Sequence, residues 1–94
     1  MQLSFDPAKR QATLDNRGLD FADASLVFAG LVFTFLDDRA DYGEPRNTTI
    51  GLLNSRMVVI VWTQRSRQYG DVRHIISMRK ANDREQSRYA DRLG

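Results

Sequence analysis

The stretch RNTTIGLLNSRMVVIVWT, residues 46–63, decides the architecture. Its first part alternates, Thr48, Ile50 and Leu52 against Asn47, Thr49 and Gly51, which is the period of a strand with two unlike faces. Met57 to Trp62 is an unbroken run of apolar, mostly β-branched residues and reads as a central strand buried on both sides. Asn54-Ser55 between them reads as a tight turn, so the two strands form an antiparallel hairpin.

Outward from this hairpin the other elements fall into order. Leu31 to Leu36 is rich in β-branched and aromatic residues and reads as a preceding strand. On the far side, residues 64–71 read as a polar turn ending in Gly70-Asp71, and Val72 to Met78 as the last strand. Gln2 to Phe5 makes a short opening strand. Asp6-Pro7 then starts a helix, since Asp6 can accept orphan amide hydrogens and Pro7 at the first helical position has none to lose. Gly18 stops that helix. A second helix is capped by Asp20, with Asp23 three residues on, and shows Phe21, Ala24, Ser25 and Phe28 on one face. Asn82 and Glu85 form a capping-box pattern for a third helix, whose main apolar contacts are Tyr89 and Leu93. Arg84, Arg88 and Arg92 recur on it as one stripe. The expected fold is α+β: a single antiparallel sheet with two N-terminal helices and one C-terminal helix, in the order β-α-α-β-β-β-β-α, with the helices against one face.

At 94 residues and 41% hydrophobic content the chain reads as one domain, residues 1–94. The absence of cysteine excludes disulfides and thiolate metal sites. A single histidine, His74, excludes multi-histidine metal sites and paired-histidine RNA cleavage. Neither metal nor cofactor is expected. Residues 51–56, Gly-Leu-Leu-Asn-Ser-Arg, lack the Gly-Lys-Ser/Thr ending of a nucleotide-phosphate loop. The start MQLSFDPAKR carries no apolar leader, and no apolar run approaches the roughly 18–20 residues that span a bilayer, so a cytoplasmic protein with no membrane contact is expected. Net charge is only +2, yet 12 of the 14 basic residues are arginine. From Arg56 to Arg92 they outnumber the acids Asp71, Asp83, Glu85 and Asp91. Arginine's planar fork suits phosphate, which favours an anionic partner; a G+C-rich coding sequence accounts for the same excess.

Candidate functional residues cluster in this basic half. By strict alternation Arg73, Ile75, Ser77 and Arg79 face one way on the last strand, and His74, Ile76, Met78 and Lys80 the other. Arg73, Ser77 and Arg79, joined by Arg46, could line an open sheet face as a cradle for a nucleic-acid backbone, or be ordinary solvated residues. His74 suits general base chemistry but sits beside Ile75 and Ile76, where packing is the simpler reading. Glu44 and Glu85 are the only glutamates and either could act as a base, with helix capping the rival role of Glu85 and pairing with Arg46 that of Glu44. Lys9 and Lys80 are the only lysines and can move protons where arginine cannot. Trp62 suits the core, and Tyr69 a loop contact.

Phe5-Asp6-Pro7-Ala8-Lys9, Gly18-Leu19-Asp20-Phe21 and Ala24 with Val27-Phe28 resemble the opening of BrnT-type toxins. Gly43-Glu44-Pro45-Arg46 with Ile50-Gly51 resembles their Glu-x-Arg strand. The segment from Arg73 to Ala81, followed by Arg84-Glu85 and Tyr89, resembles their Ile-Ser-x-Arg segment and helix start. The chain departs from the family pattern at Asn16-Arg17, where many members carry Lys-His, and at Thr13, where many carry asparagine. The resemblance implies a RelE-like fold, metal-independent cleavage of RNA in the bacterial cytoplasm, and a BrnA-type antitoxin partner. Operator DNA would be reached only through that antitoxin. On this reading a ribose 2′-hydroxyl attacks the adjacent phosphate, Arg79 and Arg46 stabilise the growing charge, and Lys9, Glu44 or Lys80 handle protons. Arg73, Tyr69 and Ser77 would position the RNA. The alternative is a non-catalytic module that only docks its antitoxin.

Overall fold

The computed structural model describes residues 2–37, 43–67 and 70–93. The elements run β1 (Gln2–Phe5), α1 (Pro7–Arg17), a 3-10 turn (Phe21–Asp23) leading into α2 (Ala24–Phe28), β2 (Phe33–Asp37), β3 (Arg46–Leu53), β4 (Arg56–Arg67), β5 (Gly70–Lys80), α3 (Asp83–Tyr89) and a closing 3-10 turn (Ala90–Arg92). The order is the expected one. The five strands form one sheet in the order β1-β5-β4-β3-β2, with β4 at its centre.

The sheet is mixed, not purely antiparallel. β1 lies parallel to β5, with Gln2 opposite Val72 and Phe5 opposite Ile75. The other neighbours are antiparallel. A strand at the chain start has no short connection to its partner, so its direction is set by where α1 must return. The expected polar turn at 64–71 is also corrected. β4 continues through Arg67 and β5 begins at Gly70, with Gln64 to Arg67 opposite Arg73 to Gly70. Ladder hydrogen bonds are made by the backbone, so polar side chains do not end the pairing. Between β3 and β4 the turn is as expected: Asn54 and Ser55 both have positive φ, 52° and 67°, the geometry that matches a hairpin's twist.

Helix ends obey the local signals. Asp6 accepts from the Ala8 amide, Pro7 opens α1, and Gly18 closes it at φ 69°. Asp20 caps the 3-10 turn through the Ala22 amide and also receives Arg10 at 2.8 and 2.9 Å. The Arg10 hydrogen bonds, and then the Ala22 amide, hold the Asp20 carboxyl down at about 2. Asn82 and Glu85 form the reciprocal capping box at the start of α3.

Two cores flank the sheet. On one face α2 and the preceding turn bring Phe21, Ala24 and Val27 onto Val58, Ile60, Trp62, Ile75 and Met78. On the other, Tyr89 and Leu93 close over Ile50, Met57, Val59 and Ala81, with Phe33 against them. The helices therefore cover both faces, contrary to the single-face expectation. Apolar residues of the doubly buried β4 must be covered on each side, and α3 is the element left to do it.

Gly51 is required by close approach. A Cβ built there lies 2.6 Å from Val27 Cγ1 and 3.0 Å from Val32 Cγ1, both side chains packed between α2 and β3. Gly51→Ala is expected to cost about 1–3 kcal/mol by overpacking. In urea unfolding, Gly51→Ala combined with Val27→Ala should lose less than the sum of the two single changes. Strictly additive losses would refute the contact as the cause.

Candidate functional site

The face opposite α2 is only partly covered, and the ladder pairs arrange its side chains in rows. One row runs Ser4, His74 and Thr63 across β1, β5 and β4, with Arg46 opposite Asp37 on β3 and β2. The next row is Val61, Thr48 and Phe35. The third is Arg79, Val59, Ile50 and Phe33, and α3 lies over its middle. Beside α3 the uncovered part forms a groove of about 540 Å³ lined by Phe35, Leu36, Asp37, Thr48, Val59, Val61, Arg79 and Glu85.

Arg79 reaches this face because β5 carries a bulge. Val61 pairs with Ser77 but Trp62 pairs with Ile75, so Ile76 is an extra residue on β5. Such an insertion shifts the side-chain alternation by one. Ile75 and Met78 consequently share the α2-side core, while Arg79 lines the opposite groove. Strict alternation had put Arg73 and Arg79 together, and the bulge separates them. Arg73 lies on the α2 side, its guanidinium 4.0 Å from the Phe28 ring centroid and 5.2 Å from that of Trp62. Burial pulls its pKa down. Arg73 is thus part of the core's edge and does not line the groove.

Within the groove Arg79 and Glu85 form a two-pronged ion pair, Nη1 to Oε1 at 2.7 Å and Nη2 to Oε2 at 2.8 Å. The same Oε1 accepts the Asn82 amide at 2.9 Å, so the capping box that starts α3 also fixes the arginine. The Arg79 hydrogen bonds lower the Glu85 carboxyl below its ordinary value and raise the guanidinium above its own. Arg79 also gives Nη1 to the Lys80 carbonyl at 3.4 Å. A guanidinium has five N–H donors, and here the carboxylate takes the Nη1–Nη2 end. The Nε side of the fork makes no hydrogen bond to the described residues and offers a second bidentate edge.

The remaining candidates disperse. Arg46 shares the groove's face, two residues along β3 from Thr48. Glu44, just before β3, accepts from Arg65 at 3.2 Å. Lys9 and Ser77 line a separate hollow of about 230 Å³ with Thr13, Asn16 and Arg17, where Arg17 donates to the Met78 carbonyl at 3.0 Å. Lys80 lines another beside the Asn54-Ser55 turn, with Arg56 and Gln86. Tyr69 lies outside the described residues. His74 is half-buried, its Nδ1 2.8 Å from Ser4 Oγ. Trp62 is in the core, as its place in the apolar run indicates.

Sequence reasoning weighed Glu85 as a cap or a base but missed its pairing with Arg79, and missed Asp37, Thr48 and Phe35 as groove residues. The capping box was readable; its engagement with Arg79 depends on how α3 folds back over β5. Among the described residues no three His, Cys, Asp or Glu side chains gather as a metal site would need. No helix among them is long and apolar enough to cross a membrane.

A family model described as "Ribonuclease toxin, BrnT, of type II toxin-antitoxin system" matches residues 5–85, from the end of β1 to the capping box of α3. No curated protein matches the chain.

Proposed function

Because the chain belongs to the BrnT family of ribonuclease toxins of type II toxin–antitoxin systems, we propose that it cuts RNA internally on the grooved face of its sheet. The observation that carries this is Arg79, oriented in an open groove by Glu85 with one edge of its fork to spare. The reaction is attack of a ribose 2′-hydroxyl on the adjacent phosphate. Negative charge grows on the phosphoryl oxygens as the new bond forms, and a preoriented guanidinium stabilises it without having to reorganise. Arg46, on the same face, supplies a second cation along the RNA backbone.

Glu85 is held ionised by Arg79, so it is a poor proton acceptor and serves to orient. Glu44 precedes Arg46 by two residues and is the proton-handling candidate nearest to it in the chain. Lys9 and Lys80 face the two separate hollows and would contact RNA only if it wrapped past the edge of β5.

The partner is an antitoxin, as the family's type II class implies, and we assign it to the BrnA type. The architecture is read as RelE-like and the working compartment as the cytoplasm, where the RNA is. Operator DNA would be met through the antitoxin.

Purified protein should cut a single-stranded RNA to products ending in 2′,3′-cyclic phosphate and 5′-hydroxyl, and excess EDTA should leave the rate unchanged. Products with 5′-phosphate, or loss of cleavage with EDTA, would overturn the metal-free 2′-hydroxyl route. Intact RNA beside tight antitoxin binding would favour the docking module instead.

A further inference from the structure

Arg88 on α3, Arg92 in the turn after it and the exposed ring of Phe35 on β2 take no part in the cleavage chemistry proposed above. They meet in a second opening of about 350 Å³ lined by Phe33, Phe35, Arg88, Tyr89 and Arg92. Phe35 borders both openings, so the two are neighbours on this face. The rings are clustered: Phe33 lies 5.3 Å from Tyr89 and 6.1 Å from Phe35 between centroids. The guanidinium of Arg92 sits 4.5 Å from the Phe33 centroid, and that of Arg88 5.6 Å from the Tyr89 centroid.

Two features of this patch call for a ligand. Phe35 is 40% exposed, although Phe33 beside it is drawn into the core around Tyr89. Arg88 and Arg92 are exposed and, among the described residues, neither makes an ion pair. An aromatic face in water beside two unneutralised guanidiniums fits a flat, anionic ligand. A nucleotide has that chemistry: a base with a π-face, carried on a phosphate.

We propose that this patch is a base-stacking subsite for single-stranded RNA, flanking the cleavage groove. It rests on the ribonuclease reading and adds to it how the strand is held. An unstacked base lies on Phe35, and Arg88 and Arg92 hold neighbouring phosphates while the strand runs on towards Arg79. Stacking of this kind tolerates any base but needs one free of its helix, so the subsite selects unpaired RNA over duplex. A protein segment is the weaker fit, because the exposed apolar area is small, Phe35 with Leu36 beside it, and its rim carries Arg88 and Arg92.

The test is fluorescence anisotropy with the full-length protein and a labelled single-stranded 2′-O-methyl RNA, which lacks the attacking hydroxyl. Phe35→Ala should weaken binding roughly 5- to 150-fold, the range for loss of one base–aromatic stack, and Phe35→Trp should restore it. A hairpin duplex should bind weakly to wild type and be indifferent to Phe35→Ala. Arg92→Ala should lower the salt slope by about 0.7, the value for one phosphate on a single strand. Unchanged single-strand affinity in folded Phe35→Ala overturns the subsite and leaves the ribonuclease reading standing. If Phe35→Ala instead loosens only the antitoxin complex, the patch is a protein-docking surface and the proposal falls. If wild type neither binds nor cuts RNA, both readings fall together.

Discussion

Arg79→Ala is expected to slow RNA cleavage by about 100- to 1,000-fold, the effect of removing one preoriented donor from a site where charge develops. The variant should remain folded. Its ion pair with Glu85 is at the surface, with side-chain exposures of 42% and 21%, and such pairs are worth under about 1 kcal/mol. Glu85 keeps the Asn82 amide as a partner, so the cap of α3 survives. Arg79→Lys separates charge from geometry. The lysine restores a positive charge but has no fork to share between Glu85 and a phosphate, so it should recover only part of the rate. In inducible expression, wild type should arrest growth with loss of intact cellular RNA, and Arg79→Ala should do neither. A folded Arg79→Ala protein that cuts RNA at the wild-type rate would remove Arg79 from the site.

The placement of Arg79 shows where the sequence is legible and where it stops. Composition and period locate β3 and β4 because each buried position along them repeats the same demand for apolar side chains. Caps at Asp6, Asp20 and Asn82 are equally plain, since an N-cap is a local hydrogen bond between near neighbours. The bulge at Ile76 is not local. It depends on how β5 matches Val61 and Trp62 on the partner strand, and nothing in Arg-His-Ile-Ile-Ser-Met-Arg marks which isoleucine is extra. One inserted residue moved Arg73 into contact with Phe28 and Trp62 and turned Arg79 to the groove. The parallel pairing of β1 was hidden for a similar reason, because Phe5 and Ile75 are far apart in sequence. Tyr89 and Leu93 were legible as the apolar contacts of α3, but which face they cover depends on the path after Lys80.

The same asymmetry explains the candidate site. Individual arginines were easy to nominate, whereas their convergence was not. Arg46 and Arg79 stand on one face, two strands apart, and Glu85 arrives from α3 to orient one of them. Lys9 and Ser77 came together instead at the edge of β5, where β1 has ended and Arg17 takes the Met78 carbonyl. A cradle read from residue type becomes a site only when the ladder decides which side chains share a face.

The largest stability effect should come from Trp62→Ala, which lies on the side away from the groove. Trp62 is 7% exposed; its Nε1 donates to the buried Thr49 hydroxyl at 2.8 Å, and that hydroxyl also meets Thr34 Oγ1 at 2.8 Å. Phe28 stands edge-on at 5.6 Å, fixing α2 to the sheet, and Arg73 lies over the other side of this aromatic pair. Truncation removes the ring from all of these contacts at once and should cost about 3–5 kcal/mol. Domains of this size are stable by about 5–15 kcal/mol, so the loss is a large share of the whole and raises the unfolded fraction of the free toxin by roughly two to four orders of magnitude, enough to lower its level in the cell. Trp62→Phe keeps a ring for Phe28 and Arg73 but removes the donor to Thr49, and should cost only about 1 kcal/mol. Growth arrest should therefore be lost in Trp62→Ala through failure to accumulate, with every groove residue intact. An antitoxin that binds the folded form and not the unfolded chain should, on co-expression, restore the level of the variant protein. Urea unfolding of the purified proteins decides the matter. A Trp62→Ala loss below about 1 kcal/mol would mean that Phe28 and Ile75 refill the space, and that the sheet does not depend on this ring.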